Sequence, residues 1–525
     1  MSVRRRLAVA SIAVLSHSPA LADPLPRIAP HDAYAAIERG AELRRVQIDG
    51  DLDVAKMIPP PGAKRIVMQE VRLDGTLRSS AGGPAVALEI GRSHLRDVDL
   101  RGTRWTAPLA IEASTIKDRA WFEEAQFDAP FVLHNTTLSG QVLFRRARFS
   151  SPVEITSSQF RPAPPLRASV NFADARFAAP ARFDRSALAG GVRFDTARFD
   201  ADASFLGLEV TGRASWRNVI FSGDAEFRFC WLGDADFGDI EQMSVFMHLA
   251  DFRGCAMSSL RLDYADMRGD TLLVNVQISP GDLTLRHASL RGARNDFSGL
   301  KVSGKLDLKG AQIANLQLQW SEIGPALLRS APGSDVLRPV QQRLEELKRD
   351  DEAREASAAL ADVRIEERLA QPETSLADKG LVWVERIFWG GATGYGTRLE
   401  RIVGVALLCW LLLALPLVLT RSVRIGPMLA GADKAPPLHQ AVPPEALQPP
   451  PASAMARGFQ GLSYAFALMF ALPDLGVRPA EPISAALQSY LLFMRAVGVT
   501  LLALTALTLA NVSPIIQAVL GKIVG

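Results

Sequence analysis

At 525 residues the chain is too long for one ordinary domain, and with 48% apolar residues it can fill large cores. Its 59 basic and 56 acidic residues leave a formal charge of +3, which gives no footing for nucleic acid as a partner. Three cysteines, Cys230, Cys255 and Cys409, exclude a disulfide scaffold.

The N-terminus comes first. Arg4, Arg5 and Arg6 precede a nine-residue apolar run, Leu7 to Leu15, too short to anchor in a bilayer. Ala20-Leu21-Ala22 then fits the small-x-small rule for cleavage, so residues 1–22 read as a signal peptide with Asp23 as the mature N-terminus. The rest of the chain is expected to be exported.

The middle of the chain repeats. "FEEAQF" (Phe122, Phe127), "FRRARF" (Phe144, Phe149), "FADARF" (Phe172, Phe177), "FDTARF" (Phe194, Phe199) and "WRNVIF" (Trp216, Phe221) recur every 22 residues, apart from a six-residue insertion around "RPAPPL". Two more apolar rows keep the step: Leu133, Ile155, Phe183, Phe205, Phe227, and Leu138, Phe160, Leu188, Val210, Leu232. The four apolar positions per period are spaced 5, 6, 5 and 6, which neither a 3.6-residue nor a 2-residue period generates. Four inward corners per turn describe a parallel β-helix of four short sides. Stacked coils put like residue over like at about 4.8 Å, so Phe127, Phe149, Phe177, Phe199 and Phe221 form one internal ladder and Phe183, Phe205 and Phe227 another.

Two residues before many of these positions a small residue also faces inward: Ala125, Ala147, Ala175, Ala197, Ala203, Ala225, Ala235. Cys230 and Cys255 occupy that same slot, before Leu232 and Met257, and read as small core residues rather than a disulfide, whose geometry suits parallel stacked positions poorly. Further on the step reads as a plain five, Met247, Phe252, Met257, Leu262, Met267, Leu272, as it does earlier at Leu95, Leu100 and Trp105. Here "ADFRG", "ADMRG" and "ASLRG" resemble the A-(D/N)-L-x-x unit of the pentapeptide-repeat family. The resemblance covers residues 90 to 320, more loosely back to 40, and implies a right-handed four-sided β-helix. The domain is expected to fill residues 23–330 with about ten coils, roughly 50 Å in length. Its outward Arg and Asp are mixed rather than segregated.

Residues 335–370 read as a neck of one or two helices. Val336, Val340, Leu344 and Leu347 form one stripe and Ala353, Ala356, Leu360 and Val363 another, with a break at Asp350-Asp351 and i,i+4 pairs Glu345–Arg349 and Asp350–Arg354. It would cap the β-helix or self-associate. Residues 380–400 form a membrane-edge segment, and 401–420 a transmembrane helix flanked by Arg398, Arg401, Arg421 and Arg424. Residues 421–457, with eight prolines, read as a structureless linker. Residues 459–476 are apolar but short for a span, leaving re-entrant and interfacial placements open. Residues 490–520 form a second transmembrane helix, its apolar block opening at Arg495.

Thr393-Gly394-Tyr395-Gly396 invites comparison with an ion filter, but it lies before the first span, so two spans cannot cradle it. Where a filter belongs, between the spans, stands "ALPDLGVRP", and the pore or hairpin residues this leaves are Asp474, Arg478 and Arg495. The order of neck, "TGYGTR", span, "LPDLGV-x-P-x-x-P" and span resembles bacterial pentapeptide-repeat membrane proteins whose C-terminal halves look like the two-span module of ion channels.

No enzyme, metal site or cofactor is expected: the seven histidines are scattered, and no Walker loop, G-x-S-x-G or Cys-x-x-Cys occurs. The expected protein sits in the inner membrane, tethered through the lipid bilayer with its β-helix in the periplasm as a binding or scaffolding surface. Its partners would be a periplasmic protein, an envelope polymer or further copies of itself. The second expectation is an ion-channel-like pore regulated by that β-helix.

Overall fold

The computed structural model describes residues 25–161, 170–238, 240–313, 315–371, 375–386, 390, 399–419, 425–427, 440–448, 453–470, 477–481 and 484–512. The expected signal peptide and the Thr393–Gly396 motif lie outside them. The chain forms two compact units, residues 1–353 and 354–525.

The first unit is a parallel β-solenoid. Each turn lays down four short strands, and like strands of successive turns pair in parallel, giving sheets of 13, 9 and 20 strands. The 20-stranded sheet holds two sides, joined where one strand, such as Thr115–Trp121 or Trp231–Asp236, runs across both. Register follows the sequence period: Leu109 pairs with Phe131, Phe131 with Val153, Val153 with Ala181, and Ala181 with Ala203. The 13 stacked strands of one side span about 60 Å at strand spacing, three turns more than the sequence period counts. The additional turns lie before residue 90, where the step from Leu43, Ile48 and Leu52 to Met68, Leu73 and Leu77 is 25 residues rather than 22.

Phenylalanine rings fill the interior. Phe127, Phe149, Phe177, Phe199 and Phe221 stack with centroids 5.1, 5.0, 4.6 and 5.0 Å apart and planes within 10°. Phe183, Phe205 and Phe227 stack at 5.1 and 4.6 Å. A third ladder runs through Phe122, Phe144, Phe172 and Phe194. Rings are parallel within a ladder; the Phe183–Phe205–Phe227 ladder stands nearly perpendicular to the other two, as where Phe205 meets Phe194 at 82°, so edges meet faces as aromatic quadrupoles favour, while the other two are tilted to each other, as Phe194 to Phe199 at 49°. The cavity beside Phe160, Phe172 and Phe183 measures about 10 Å³, room for no more than one water. The solenoid interior is a core, not a conduit.

The plain five-residue step needs correction at two places. Phe246, not Met247, pairs with Phe221 and lies in the core, while Met247 is exposed. Leu272 pairs with Asp251, which leaves the neighbouring Leu273 in the inward row beneath Phe252. A six-residue step persists at one corner of each turn, and the extra residue is taken up in the bend.

The small inward slot before the third side is more polar than its alanines suggest. Ser93, Ser114, Thr136, Ser158 and Ser186 occupy it, all buried, followed by Leu208, Cys230, Cys255 and Val276. Thr136 and Ser158 donate to Ile111 O (3.0 Å) and Leu133 O (3.1 Å), each 25 residues back. Cys230 Sγ does the same to Phe205 O at 2.9 Å, and Cys255 Sγ to Phe227 O at 2.6 Å. Both thiols are free and stand in for the hydroxyls of the column, sharing the Phe205 and Phe227 carbonyls with the backbone N–H groups of Leu208 and Cys230.

Both ends carry helices. Near the N-terminal end, α1 (Pro30–Glu38) buries Ala33 and Ile37. The last strand is Leu316–Gln317, and α2 (Trp320–Arg329) follows where the sequence period suggested further coil. It packs on the final turns, with Arg329 donating to Gly304 O (2.8 Å) and Val302 O (2.9 Å) and Glu322 accepting from Gly299 N (2.8 Å). Of the neck, α3 (Ser334–Glu346) buries Val336, Leu337, Val340 and Leu344, and its Arg343 donates to Leu316 O (2.8 Å), so it caps the coil edge. Lys348, at φ +56°, makes the break before α4 (Asp350–Ala370). Arg349 pairs with Glu352 at 3.0 Å, not with Glu345, and Ile365 rather than Val363 completes the buried stripe of α4.

Two measurements check this unit. Phe199→Ala removes a ring stacked on both sides and should cost about 3–5 kcal/mol in denaturant unfolding of the solubilised protein; a loss below about 1 kcal/mol would contradict the ladder. Burial pushes the Cys230 thiol well up. The folded state therefore keeps a proton that the unfolded chain loses above about pH 8.5, so stability should decline as pH rises beyond that value. In Cys230→Ser, which keeps the donor, that decline should be shallower with stability at pH 7 nearly unchanged.

Candidate functional site

The second unit contains two helices long and apolar enough to cross a bilayer, α6 (Leu399–Leu419) and α8 (Ala485–Val512). Between α4 and α6 lies α5 (Leu376–Glu385), capped by Ser375. At 1.5 Å per residue α6 is about 31 Å long, the thickness of a bilayer core, and α8 about 42 Å. Leu407, Leu408, Leu411, Leu412 and Leu415 of α6 and Leu492, Phe493 and Val499 of α8 turn outward.

The short apolar segment is a helix, α7 (Ala454–Met469), whose N-terminus is closed by Ser453 Oγ accepting from Ala456 N at 3.2 Å. Its depth follows from what it touches. A Cβ on Gly461 would come 3.4 Å from Val418 and 3.6 Å from the Leu417 carbonyl, so α7 begins beside the C-terminal end of α6. At the next residue, Trp410 Nε1, midway along α6, donates to Leu462 O at 3.2 Å, and one turn further its ring meets Phe466 edge-on at 5.3 Å. The last residue of α7, Met469, lies against Gly498, the middle of α8; a Cβ there would sit 1.9 Å from the Met469 carbonyl oxygen. Tyr490 OH donates to Leu413 O at 2.6 Å, which sets α8 antiparallel to α6.

The chain then returns to the side it entered from. Val477–Pro479 pairs antiparallel with Ile425–Pro427, a strand that begins six residues after α6 ends. Val442 bridges to Ala480 and buries with it and Leu447, so parts of the proline-rich 421–457 segment are ordered by the returning limb rather than structureless. Helix α7 thus runs from the C-terminal end of α6 to the middle of both apolar helices, and the strand Val477–Pro479 lies back beside the strand that follows α6.

Of the three expected pore or hairpin residues, Asp474 lies outside the described residues. Arg478 sits on the returning limb, opposite Gly426, with 1% of its surface exposed, in the same buried layer as Tyr464 of α7. A guanidinium taken out of water is costly unless paired, so its charge constrains how the hairpin seats. Arg495 does not open the second apolar helix. The helix starts at Ala485, which puts Arg495 ten residues in, on a flank that Leu491, Met494 and Leu501 leave outside the three-helix core. Trp410, Tyr490 and Gly498, which seat the hairpin, were not singled out in the sequence; an indole, a phenol and a glycine inside apolar blocks were the available signal. Among the described residues no group of three His, Cys, Asp or Glu is placed to hold a metal.

No family model, curated protein or solved structure matches this chain.

Gly498→Ala forces a methyl into a backbone carbonyl that no rotamer can move. It should destabilise the solubilised protein by about 1–3 kcal/mol, whereas Gly404→Ala, in open space on α6, should not. Thermal unfolding in detergent distinguishes the two.

Proposed function

We propose that this chain is a subunit of an oligomeric, ion-conducting membrane protein whose solenoid stands outside the bilayer. The observation that supports this is the depth of the hairpin. A plain tether has no use for a helix that stops at mid-span and returns, whereas a pore uses that shape to hold an extended limb between spans. The pentapeptide-like repeat units and the order of the C-terminal segments support membership of the channel-like pentapeptide-repeat group. The signal-like N-terminus supports a periplasmic solenoid and an inner-membrane location. No catalytic role is part of this reading.

A second reading keeps the bilayer anchor and makes the solenoid the working part. The 13 turns with capped ends favour it, because they leave long rigid sides free to scaffold a partner.

Reconstitution in liposomes separates the two. Chloride or potassium flux in the full protein that is lost on deleting residues 459–482 is the expected result. Absence of both chloride and potassium flux across voltage, pH and membrane tension, from protein whose circular dichroism shows the solenoid intact, would overturn the pore and leave the scaffold.

A further inference from the structure

The corner before the third side of the solenoid carries a column of residues with left-handed backbone, and one of them is out of character. Successive turns place Arg185, Gly207, Phe229 and Gly254 there, at φ +55°, +64°, +57° and +69°. Each bonds to the turn that follows, Gly207 N to Arg228 O at 2.9 Å and Phe229 N to Arg253 O at 3.0 Å. The column alternates for a steric reason. A side chain of one turn leans over the next, where a Cβ on Gly207 would meet Arg185 Cγ at 3.7 Å and one on Gly254 would fall 2.7 Å from the Phe229 ring. Left-handed backbone suits glycine and asparagine and is an outlier for a bulky ring. Tyr264 and His287, left-handed at another corner, at least stack on each other at 4.9 Å. Phe229 has no ring neighbour among the described residues and keeps 67% of its surface exposed.

Two residues on, past the inward Cys230, Trp231 also points outward, 45% exposed and in register between Glu209 and Ala256. No other Phe, Trp or Tyr described in the solenoid is exposed. The two rings lie among small residues, Gly207 and Gly254 on the corner and Ala256 on the strand, so they stand proud of the wall. Beside them are two exposed charges of opposite sign: Arg185, two turns before Phe229 on the corner, and Glu209, one turn before Trp231. Neither side chain has an ion pair or hydrogen bond among the described residues. Elsewhere on this surface opposite charges pair from turn to turn, as Arg176 with Asp200 at 2.8 Å.

Exposed rings framed by unpaired charges have the composition of a protein contact, aromatic at the centre and charged at the rim. The charges decide the partner. A strongly acidic or strongly basic surface is repelled by one of the two, and a bilayer would have to take in Glu209 beside Trp231. A second copy of this chain supplies the same rings and the complementary charges, because a two-fold contact sets residue i against j and j against i. We propose that the flank around Phe229 and Trp231 is a self-association surface, with Phe229 beside a two-fold axis and Arg185 of each copy facing Glu209 of the other. The contact gives the solenoid a place in the oligomer read above but does not rest on that reading: a scaffold forms it equally well, and conduction is measured separately.

The test is disulfide trapping in the full, detergent-solubilised protein carrying Phe229→Cys, with copper–phenanthroline as oxidant and a non-reducing gel as readout. A Cys409→Ala background leaves the introduced thiol as the exposed one, since Cys230 and Cys255 are buried. A covalent pair is expected with Phe229→Cys and not with Gln126→Cys, an exposed position on the first side. Its yield at limiting oxidant should fall about tenfold in Arg185→Glu and in Glu209→Arg, and return in the double variant, which restores both pairs with signs exchanged. All these side chains are exposed, so circular dichroism should match the parent throughout. Failure to form the pair, a yield indifferent to both single reversals, or a double reversal no better than the singles would each overturn the proposal. So would shielding of the Phe229→Cys thiol from a water-soluble maleimide in liposomes with no pair formed, which assigns the patch to the bilayer surface.

Discussion

Everything in the solenoid depends on one constraint: parallel strands stacked in register place each residue directly over its counterpart one turn away. At that spacing a flat ring has its best neighbour in another flat ring, and phenylalanine repeats in sequence because it repeats in space. The ladders Phe127–Phe149–Phe177 and Phe183–Phe205–Phe227 are the result, at centroid distances of 4.6 to 5.1 Å. The same rule governs the polar interior. Ser158 and Cys230 donate to a carbonyl 25 residues back because that carbonyl is presented at the same corner of every turn. Outside, it places arginine beside aspartate from the next turn, as Arg119 on Asp97 at 2.9 Å, and so keeps the surface charged yet neutral in sum.

Where the rule is relaxed, the molecule acquires features that can do something other than stack. The three surplus residues before Phe246 cost nothing inside, since Phe246 still covers Phe221 at 4.9 Å, and outside they bulge at the corner. A solenoid tolerates such insertions at corners because each turn answers only to its neighbours. The rigid interior and the variable corner are two consequences of one architecture.

The C-terminal unit obeys a different logic. Its helices are apolar on the outside, and what specifies their arrangement is a small set of polar or space-saving contacts: Trp410 on Leu462, Tyr490 on Leu413, and the bare backbone of Gly498 under Met469. In an apolar surround each such contact has no competitor from water, so a few of them decide the depth at which α7 stops. The buried Arg478 lies on the limb that returns from that depth.

The sequence by itself determined the solenoid, its four sides and its aromatic ladders, because a period of 22 with spacings of 5 and 6 is a one-dimensional record of a cross-section. It also marked both apolar helices, since length and composition suffice for that. It erred by one residue at Met247 and Leu272, because two adjacent apolar residues can each satisfy the pattern and only the bend between sides decides which turns in. It did not count the first turns, where one step lengthens from 22 to 25 residues, and it did not reveal the serine and cysteine column, whose members look like ordinary turn residues until their partner carbonyl is in place. Tertiary structure alone decided that α7 reaches the middle of both apolar helices and that Arg495 lies mid-helix. Each of these depends on contacts between residues far apart in the chain, as Tyr490 to Leu413 or Trp410 to Leu462, and no local period encodes such contacts.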